Sequence, residues 1–173
     1  PMEVGPTCHY VMGGVEVEPD STAAVGVAGL FAAGEVAGGM HGSNRLGGNS
    51  LSDLLVFGHR AGLGAADYLH TLDGPRPAVT PSMVAAAEQA ALQPFHNEGG
   101  ENPYTIHAEL QQTMNDLVGI IRNGAELAEA IERLDSFKAR VRAWKVTGGR
   151  AFNPGWHLAL DLPNLLLVSE ADR

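Results

Sequence analysis

The stretch that decides the fold is HGSNRLGGNSLSDLLVFG, residues 41–58. Its first half is a polar loop interrupted by glycines. Its second half has the apolar periodicity of a helix, which we expect to run from Ser50 to Leu69 with Asn49 or Ser50 as its N-cap. A loop that leads into a helix in this way presents free backbone N–H groups and the positive end of the helix dipole. The stretch, which also carries His41 and Arg45, therefore predicts a site for an anion or an electron-rich ring.

The bulk composition excludes several classes of protein. The 173 residues carry a formal net charge of -9, which argues against a nucleic-acid-binding protein. The single cysteine, Cys8, excludes an internal disulfide and a cysteine-based zinc site. The histidines lack the spacing of metal ligands, so we expect no metal site. No signal peptide and no long apolar run is present in the sequence, which predicts a cytoplasmic chain.

A change of composition near residue 73 predicts two domains, 1–73 and 74–173. Most glycines come before it, and the turn-forming segment DGPRP at 73–77 lies at the boundary. The first part predicts short β-strands followed by the helix at 50–69. The expected strands are 7–11, 15–18 and 27–33.

The second part predicts an antiparallel helical bundle, because its amphipathic segments are joined by short loops. Pro94 is expected to end the first helix of this part. Pro163 predicts a kink in the last helix, or a helix that begins only at Asp161. The expected helices are 82–94, 104–122, 125–146 and 156–168.

Three segments together carry a family resemblance. They are PTCHYVMGGVEV at 6–17, GLFAAGEVAGGMHGSNRLGGNSL at 29–51, and RAWKVTGGRAFNPGWHLALDL at 142–162. In this order the chain resembles the flavoprotein subunit of succinate dehydrogenases and fumarate reductases. The resemblance implies an α+β fold, in which the C-terminal part of an FAD-binding domain precedes a helical C-terminal domain. The chain begins with proline and lacks the GxGxxG nucleotide loop of the family, so we expect a piece of a longer polypeptide.

The resemblance also implies roles for individual residues. Arg45 would clamp a substrate carboxylate, since a guanidinium supplies paired donors, although a surface salt bridge is the alternative. His9 would donate a second hydrogen bond to the substrate, or else be an ordinary core histidine, and His41 would orient the substrate or a backbone turn. Glu35 would contact FAD, with an ordinary charge at a strand end as the alternative. The remaining implied residues also contact FAD, with a tight turn or a helix cap as the alternative: Gly47, Gly48, Asn49, Ser50 and Leu51.

The resemblance implies hydride transfer between succinate or fumarate and FAD in the intact protein, with electrons passing to an iron–sulfur subunit. Membrane-anchor subunits would hold the complex at the membrane as a peripheral protein. We expect this piece alone to retain no FAD, to be inactive, and to self-associate through a sheet edge and the apolar segment 165–168. Two alternatives remain open: an L-aspartate oxidase-like flavoprotein, which usually reads RMASNSL where this chain has RLGGNSL, and a helical interaction module.

Overall fold

A computed structural model of the chain describes Met2 and residues 9–172. Cys8 and the beginning of the expected strand at 7–11 lie outside the described residues. The chain divides into two compact units, Pro1–Arg76 and Pro77–Arg173, named here the glycine-rich unit and the helical unit. The assignment of residues 1–73 and 74–173 to an FAD-binding part and a C-terminal domain stays a prediction.

The glycine-rich unit contains a short 3-10 helix, Gly34–Val36, and the helix α1, Asn49–His70. The strands expected at 15–18 and 27–33 are wrong for the described residues, where pairing is limited to isolated bridges. These bridges join Val15 to Ala37, Val17 to Ala24 and Ala23 to Phe31.

Glycines explain why the bridges do not extend into strands. Gly13, Gly14, Gly26 and Gly29 all have positive φ, and such residues turn the backbone out of the extended conformation. Alternating apolar residues predict the propensity to pair, but a strand also needs a neighbour that stays in register. The described part of the chain is therefore mostly helical, and the α+β class is not confirmed.

Helix α1 starts differently from the prediction. Its N-cap is Gly48, in the left-handed region at φ 86, rather than Asn49 or Ser50. No side chain in the described part of the chain caps the helix. Glycine is favoured there because a side chain would strain this backbone conformation. The buried residue of α1 is Asp53, whereas six large apolar residues of the helix are exposed. They are Leu51, Leu54, Leu55, Val56, Leu63 and Leu69.

The helical unit contains four helices: α2 (Pro81–His96), α3 (Pro103–Leu117), α4 (Gly124–Arg140) and α5 (Pro154–Asp172). Side chains cap three of them, since Thr80, Asn102 and Asn123 accept hydrogen bonds from backbone N–H groups of the first turns of α2, α3 and α4. Among residues 2 and 9–172, no helix has the length and apolar character needed to cross a membrane.

Two prolines lie inside helices of this unit, and the kink expected at Pro163 stays a prediction. Pro94 lies inside α2 instead of ending it, and α5 continues through Pro163 instead of beginning at Asp161. Pro94 lies in the last turn of α2, where only two residues follow before the helix ends at His96, so little of the helix depends on the turn that it disturbs. In contrast, α3 and α4 end earlier than expected, at Leu117 and Arg140.

The core of the helical unit lies between α3, α4 and α5. One buried cluster contains Ile106, Leu110, Leu134, Phe137, Val141, Leu162 and Leu166, and Trp144 packs against it. Ile131 is 39% exposed, because the buried line of α4 runs through Ala130, Leu134 and Phe137. Ile121 is exposed because α3 has already ended.

Hydrogen bonds from Trp156 and Arg140 connect α2 and the α2–α3 loop to the other helices of the helical unit. The Trp156 Nε1 donates a 2.7 Å hydrogen bond to the Ala91 carbonyl, which ties α5 to α2. Arg140 binds Glu101 in the α2–α3 loop with two bonds of 2.7 and 2.5 Å, and Glu109 on α3 with one of 2.6 Å. These bonds raise the pKa of Arg140.

Candidate functional site

The loop before α1 ends in open space. A Cβ atom built on Gly47 or Gly48 meets no heavy atom within 4 Å among the described residues. The turn is closed by backbone bonds from Asn49 N to the Leu46 carbonyl, at 3.1 Å, and from Leu51 N to the Gly48 carbonyl, at 3.3 Å. Because no side chain among the described residues caps α1, its positive end is available to an acceptor from outside the helix.

Asp53 lies on α1 and is 3% exposed. Its Oδ2 lies 3.1 Å from His41 Nε2 and accepts a longer hydrogen bond of 3.5 Å from the Tyr10 hydroxyl. A carboxylate that is ionised can only accept, and in that state the hydrogen of this pair lies on the Nε2 of His41. The second oxygen of Asp53, Oδ1, is buried and has no hydrogen-bond partner among the described residues.

Arg45 lies above the ring of Tyr10. Its Cζ is 4.5 Å from the ring centroid, which is within the range of a cation–π contact. The Nη1 donates to the Leu46 carbonyl at 3.2 Å, while the buried Nε has no partner in the described part of the chain. The rings of Tyr10 and His41 meet edge to face, with centroids 6.2 Å apart. Tyr10, His41, Arg45 and Asp53 form one group of contacts, named here the Asp53 cluster.

The environment of Tyr10 favours its protonated form. Burial raises the pKa of the Tyr10 phenol above its ordinary value of 10.0, and the Asp53 and Glu35 carboxylates raise it further, whereas Arg45 lowers it. The phenol therefore keeps its proton at neutral pH, and its hydroxyl can donate to Asp53.

The predicted site residues fall into four groups in the structure. His41 and Arg45 come together through their shared neighbour Tyr10, and the residues from Gly47 to Leu51 form the beginning of α1. Glu35 lies in the 3-10 helix, where its Oε1 accepts a 2.9 Å hydrogen bond from Val11 N. His9 is exposed.

Sequence reasoning missed Tyr10 and Asp53. A usable signal for Asp53 was an acidic residue inside the apolar run SLSDLLVF, where a helix in a hydrophobic setting normally has none. Tyr10 gave no comparable signal, because its partners come from positions far along the chain. Within residues 2 and 9–172, no group of three or more metal-ligating side chains is present.

Family models match both units. A model described as FAD binding domain matches residues 1–51, and one described as fumarate reductase flavoprotein C-term matches residues 107–172. The chain is 38% identical over 175 residues to the fumarate reductase flavoprotein subunit of Mycobacterium tuberculosis, covering 97% of this chain and 30% of that protein. It is 35% identical to the succinate dehydrogenase flavoprotein subunit of Coxiella burnetii, covering 99% of this chain and 31% of that protein.

Solved structures are also similar to this chain. Mycobacterium smegmatis Sdh1 in complex with UQ1 superimposes with a TM-score of 0.91 at 66% identity, covering 99% of this chain and 28% of that chain. A variant of Escherichia coli quinol fumarate reductase FrdA gives a TM-score of 0.83 at 33% identity, covering 95% of this chain and 28% of that chain. The chain thus spans about 30% of the length of the curated relatives that it matches.

Proposed function

Since the chain belongs to the family of succinate dehydrogenase and fumarate reductase flavoprotein subunits, we propose that its glycine-rich unit supplies the dicarboxylate-binding arginine and part of the flavin site of such an enzyme. The proposed reaction is hydride transfer between succinate or fumarate and FAD. The reaction belongs to the longer protein, of which this chain spans about 30% by comparison with its relatives.

The observation that carries this proposal is the missing hydrogen-bond partner of the Arg45 Nε among the described residues. This nitrogen is buried, and a buried donor left unsatisfied costs about 1–3 kcal/mol, more for a charged group. An anion that accepts from the guanidinium removes this cost, and a carboxylate does so with two parallel bonds. Arg45 also lies on the loop that leads directly into α1. A dicarboxylate held by Arg45 would therefore lie near the start of α1.

The residues at the start of α1 fit a flavin. The Cβ positions of Gly47 and Gly48 border open space, so a flat ring can approach the backbone closely there. Leu46 and Leu51 are 73% and 69% exposed and offer apolar surface beside the loop. We propose that residues 47–51 and Glu35 hold FAD, which supplies hydride acceptance and donation when bound. The uncapped end of α1 stabilises negative charge on a reduced ring without reorganisation.

The chain's own residues bind and orient the substrate in this proposal. Arg45 binds one carboxylate, His9 donates to the other end of the dicarboxylate, and His41 orients the substrate side of the loop. The sequence lacks GxGxxG, so we propose that the 173 residues alone neither retain FAD nor catalyse the reaction. The proposed partners are membrane-anchor subunits, which would hold the protein peripherally at a membrane, and an iron–sulfur subunit.

The test uses the full-length flavoprotein with its bound FAD. Arg45→Gln is expected to lower kcat/KM for succinate, measured by dye reduction, by about 100-fold, because two charge-assisted hydrogen bonds are lost. The flavin content, measured by absorbance, is expected to stay unchanged. Arg76→Gln is the matched control, since Arg76 is an exposed arginine of the same unit.

Three results would contradict the proposal. In the first, Arg45→Gln has the activity of the unaltered protein. In the second, the full-length protein oxidises L-aspartate and not succinate, which supports the L-aspartate oxidase alternative. In the third, the full-length protein carries no flavin, which supports the alternative that the chain is a helical interaction module.

A further inference from the structure

A buried carboxylate in the glycine-rich unit has no part in the function proposed above. Of the buried polar side chains in residues 2 and 9–172, Asp53 is the ionisable one, the others being Thr22, Thr113 and Ser169. Burying a carboxylate is costly unless hydrogen bonds compensate for its lost hydration. Asp53 is buried on a helix that leaves Leu54 and Leu55 exposed, so general packing does not explain its position. Its contacts with Tyr10 and His41 do.

We infer that Asp53 is a positioning residue: it holds Tyr10 and His41 in place, and the Tyr10 ring in turn holds the Arg45 guanidinium ready for a dicarboxylate. This inference rests on the proposed function, because it assigns Arg45 a carboxylate ligand. It adds Asp53 and Tyr10, which touch no substrate in this scheme, to the residues that determine dicarboxylate affinity.

The first step of the argument is the shared oxygen. Asp53 Oδ2 lies at hydrogen-bond distance from both His41 Nε2, at 3.1 Å, and the Tyr10 hydroxyl, at 3.5 Å. One buried carboxylate oxygen thus contacts both the histidine ring and the phenol hydroxyl and restricts the orientation of both side chains. The edge-to-face contact between the two rings, at an interplanar angle of 82°, keeps them from moving independently.

The second step is the stacking of Arg45 on Tyr10. An arginine side chain has several rotatable bonds, and restricting them on binding costs affinity. A ring 4.5 Å below the guanidinium carbon restricts them beforehand. The Nε then remains buried and unpartnered among the described residues, ready for an acceptor. Loss of the ring should therefore weaken dicarboxylate binding rather than flavin retention.

The third step is the common helix. Asp53 lies one turn after Asn49, on the same face of α1, because residues four apart are neighbours on a helix. The start of α1 is the proposed flavin-binding element, and Asp53 anchors the proposed carboxylate-binding element. A single rigid helix therefore sets the separation between the two, which hydride transfer requires to be short and constant.

The experiment measures malonate binding to the full-length flavoprotein with its bound FAD, by titrating the change in flavin absorbance. Tyr10→Leu and Asp53→Asn are each expected to raise the Kd for malonate about 10-fold, in the range of a partly desolvated cation–π contact. Tyr10→Phe keeps the ring and is expected to raise it no more than about 3-fold. The KM for succinate should rise in the same variants and in the same order as the Kd for malonate. The kcat and the flavin content should stay within about twofold of the values for the unaltered protein.

Asp67→Asn is the matched control, because Asp67 is an exposed acidic residue on the same helix. It should leave the malonate Kd unchanged. One outcome overturns the inference: Tyr10→Leu and Asp53→Asn lose FAD in proportion to their lost activity, and the fraction of each variant that still carries FAD binds malonate with an unchanged Kd. If Asp53→Asn does not fold, equal Kd values for Tyr10→Leu and Tyr10→Phe overturn it. Failure of the unaltered holoenzyme to bind malonate overturns the proposed function itself.

Discussion

The two units bury different kinds of side chain. In the helical unit, Ile106, Leu134 and Leu162 are fully buried in one shared core. In the glycine-rich unit, the buried hydrophobic residues among those described are alanines, and Asp53 is buried with them. Alanines bury little area, so hydrophobic burial within this unit contributes little stabilisation. The helical unit is thus stabilised by its own core, whereas the glycine-rich unit is organised around a polar cluster.

The largest expected effect tests the core of the helical unit. Leu134→Ala should lower the free energy of unfolding of the 173-residue chain by about 2–5 kcal/mol, because it removes buried methyl groups and leaves a cavity. Urea unfolding followed by far-UV circular dichroism measures this change. Ile131→Ala is the control on the same helix, since Ile131 is 39% exposed and should cost much less. Equal losses from the two variants would contradict the position of the core.

The same comparison shows which features of the fold local sequence can predict. The apolar spacing of Ile106, Leu110 and Leu117 matches the buried face of α3, because helical periodicity is a local property. The expected strand at 27–33 is wrong because strands depend on partners elsewhere in the chain, which local sequence does not show. The ends of α3 and α4 depend on local hydrogen bonds at the termini, as in the bond from Val118 N to the Met114 carbonyl, and not on apolar spacing.

The candidate site divides in the same way. Arg45 and the glycines before α1 stand out within a few residues of sequence, so their grouping could be predicted. Tyr10 and Asp53 are 43 positions apart, and the bond between them exists only after folding. Sequence alone therefore predicts the groups proposed to face a ligand. It does not predict the buried groups that fix their positions.

A smaller expected effect concerns acid sensitivity of the helical unit. Hydrogen bonding to Arg140 lowers the pKa of Glu101 below its ordinary value of 4.5. A lowered pKa in the folded state contributes stability above the ordinary pKa and loses it as the pH falls through the lowered value. The stability difference between the unaltered chain and Arg140→Gln should therefore be present at pH 7 and diminish on acidification below about pH 4.5.

Urea unfolding at a series of pH values measures this difference. Arg133→Gln is the control, because Arg133 forms only an exposed pair with Glu129 on the same helix. Exposed ion pairs of this kind contribute little to the free energy of unfolding. The stability difference between the unaltered chain and Arg133→Gln should therefore be small at every pH. A difference for Arg140→Gln that grows as the pH falls would contradict the contribution of the Glu101 pair.

The smallest expected effect on stability concerns the apolar surface of the glycine-rich unit. The sheet edge expected to drive self-association is not formed by the described residues, but the leucines of α1 offer another surface. Leu55 is 76% exposed, so Leu55→Gln should change the free energy of unfolding by no more than about 0.5 kcal/mol. It should nevertheless weaken self-association of the 173-residue chain, because contiguous exposed apolar patches promote association.

Sedimentation velocity at increasing protein concentration distinguishes the two units as the source of this association. Leu167→Gln is the matched variant in the helical unit, since Leu167 on α5 is 67% exposed and belongs to the apolar segment 165–168. Leu166 in that segment is buried, which leaves less continuous apolar surface there than on α1. We therefore expect Leu55→Gln to shift the chain towards monomer more than Leu167→Gln does. If Leu167→Gln shifted the chain towards monomer more than Leu55→Gln did, the associating surface would lie on the helical unit.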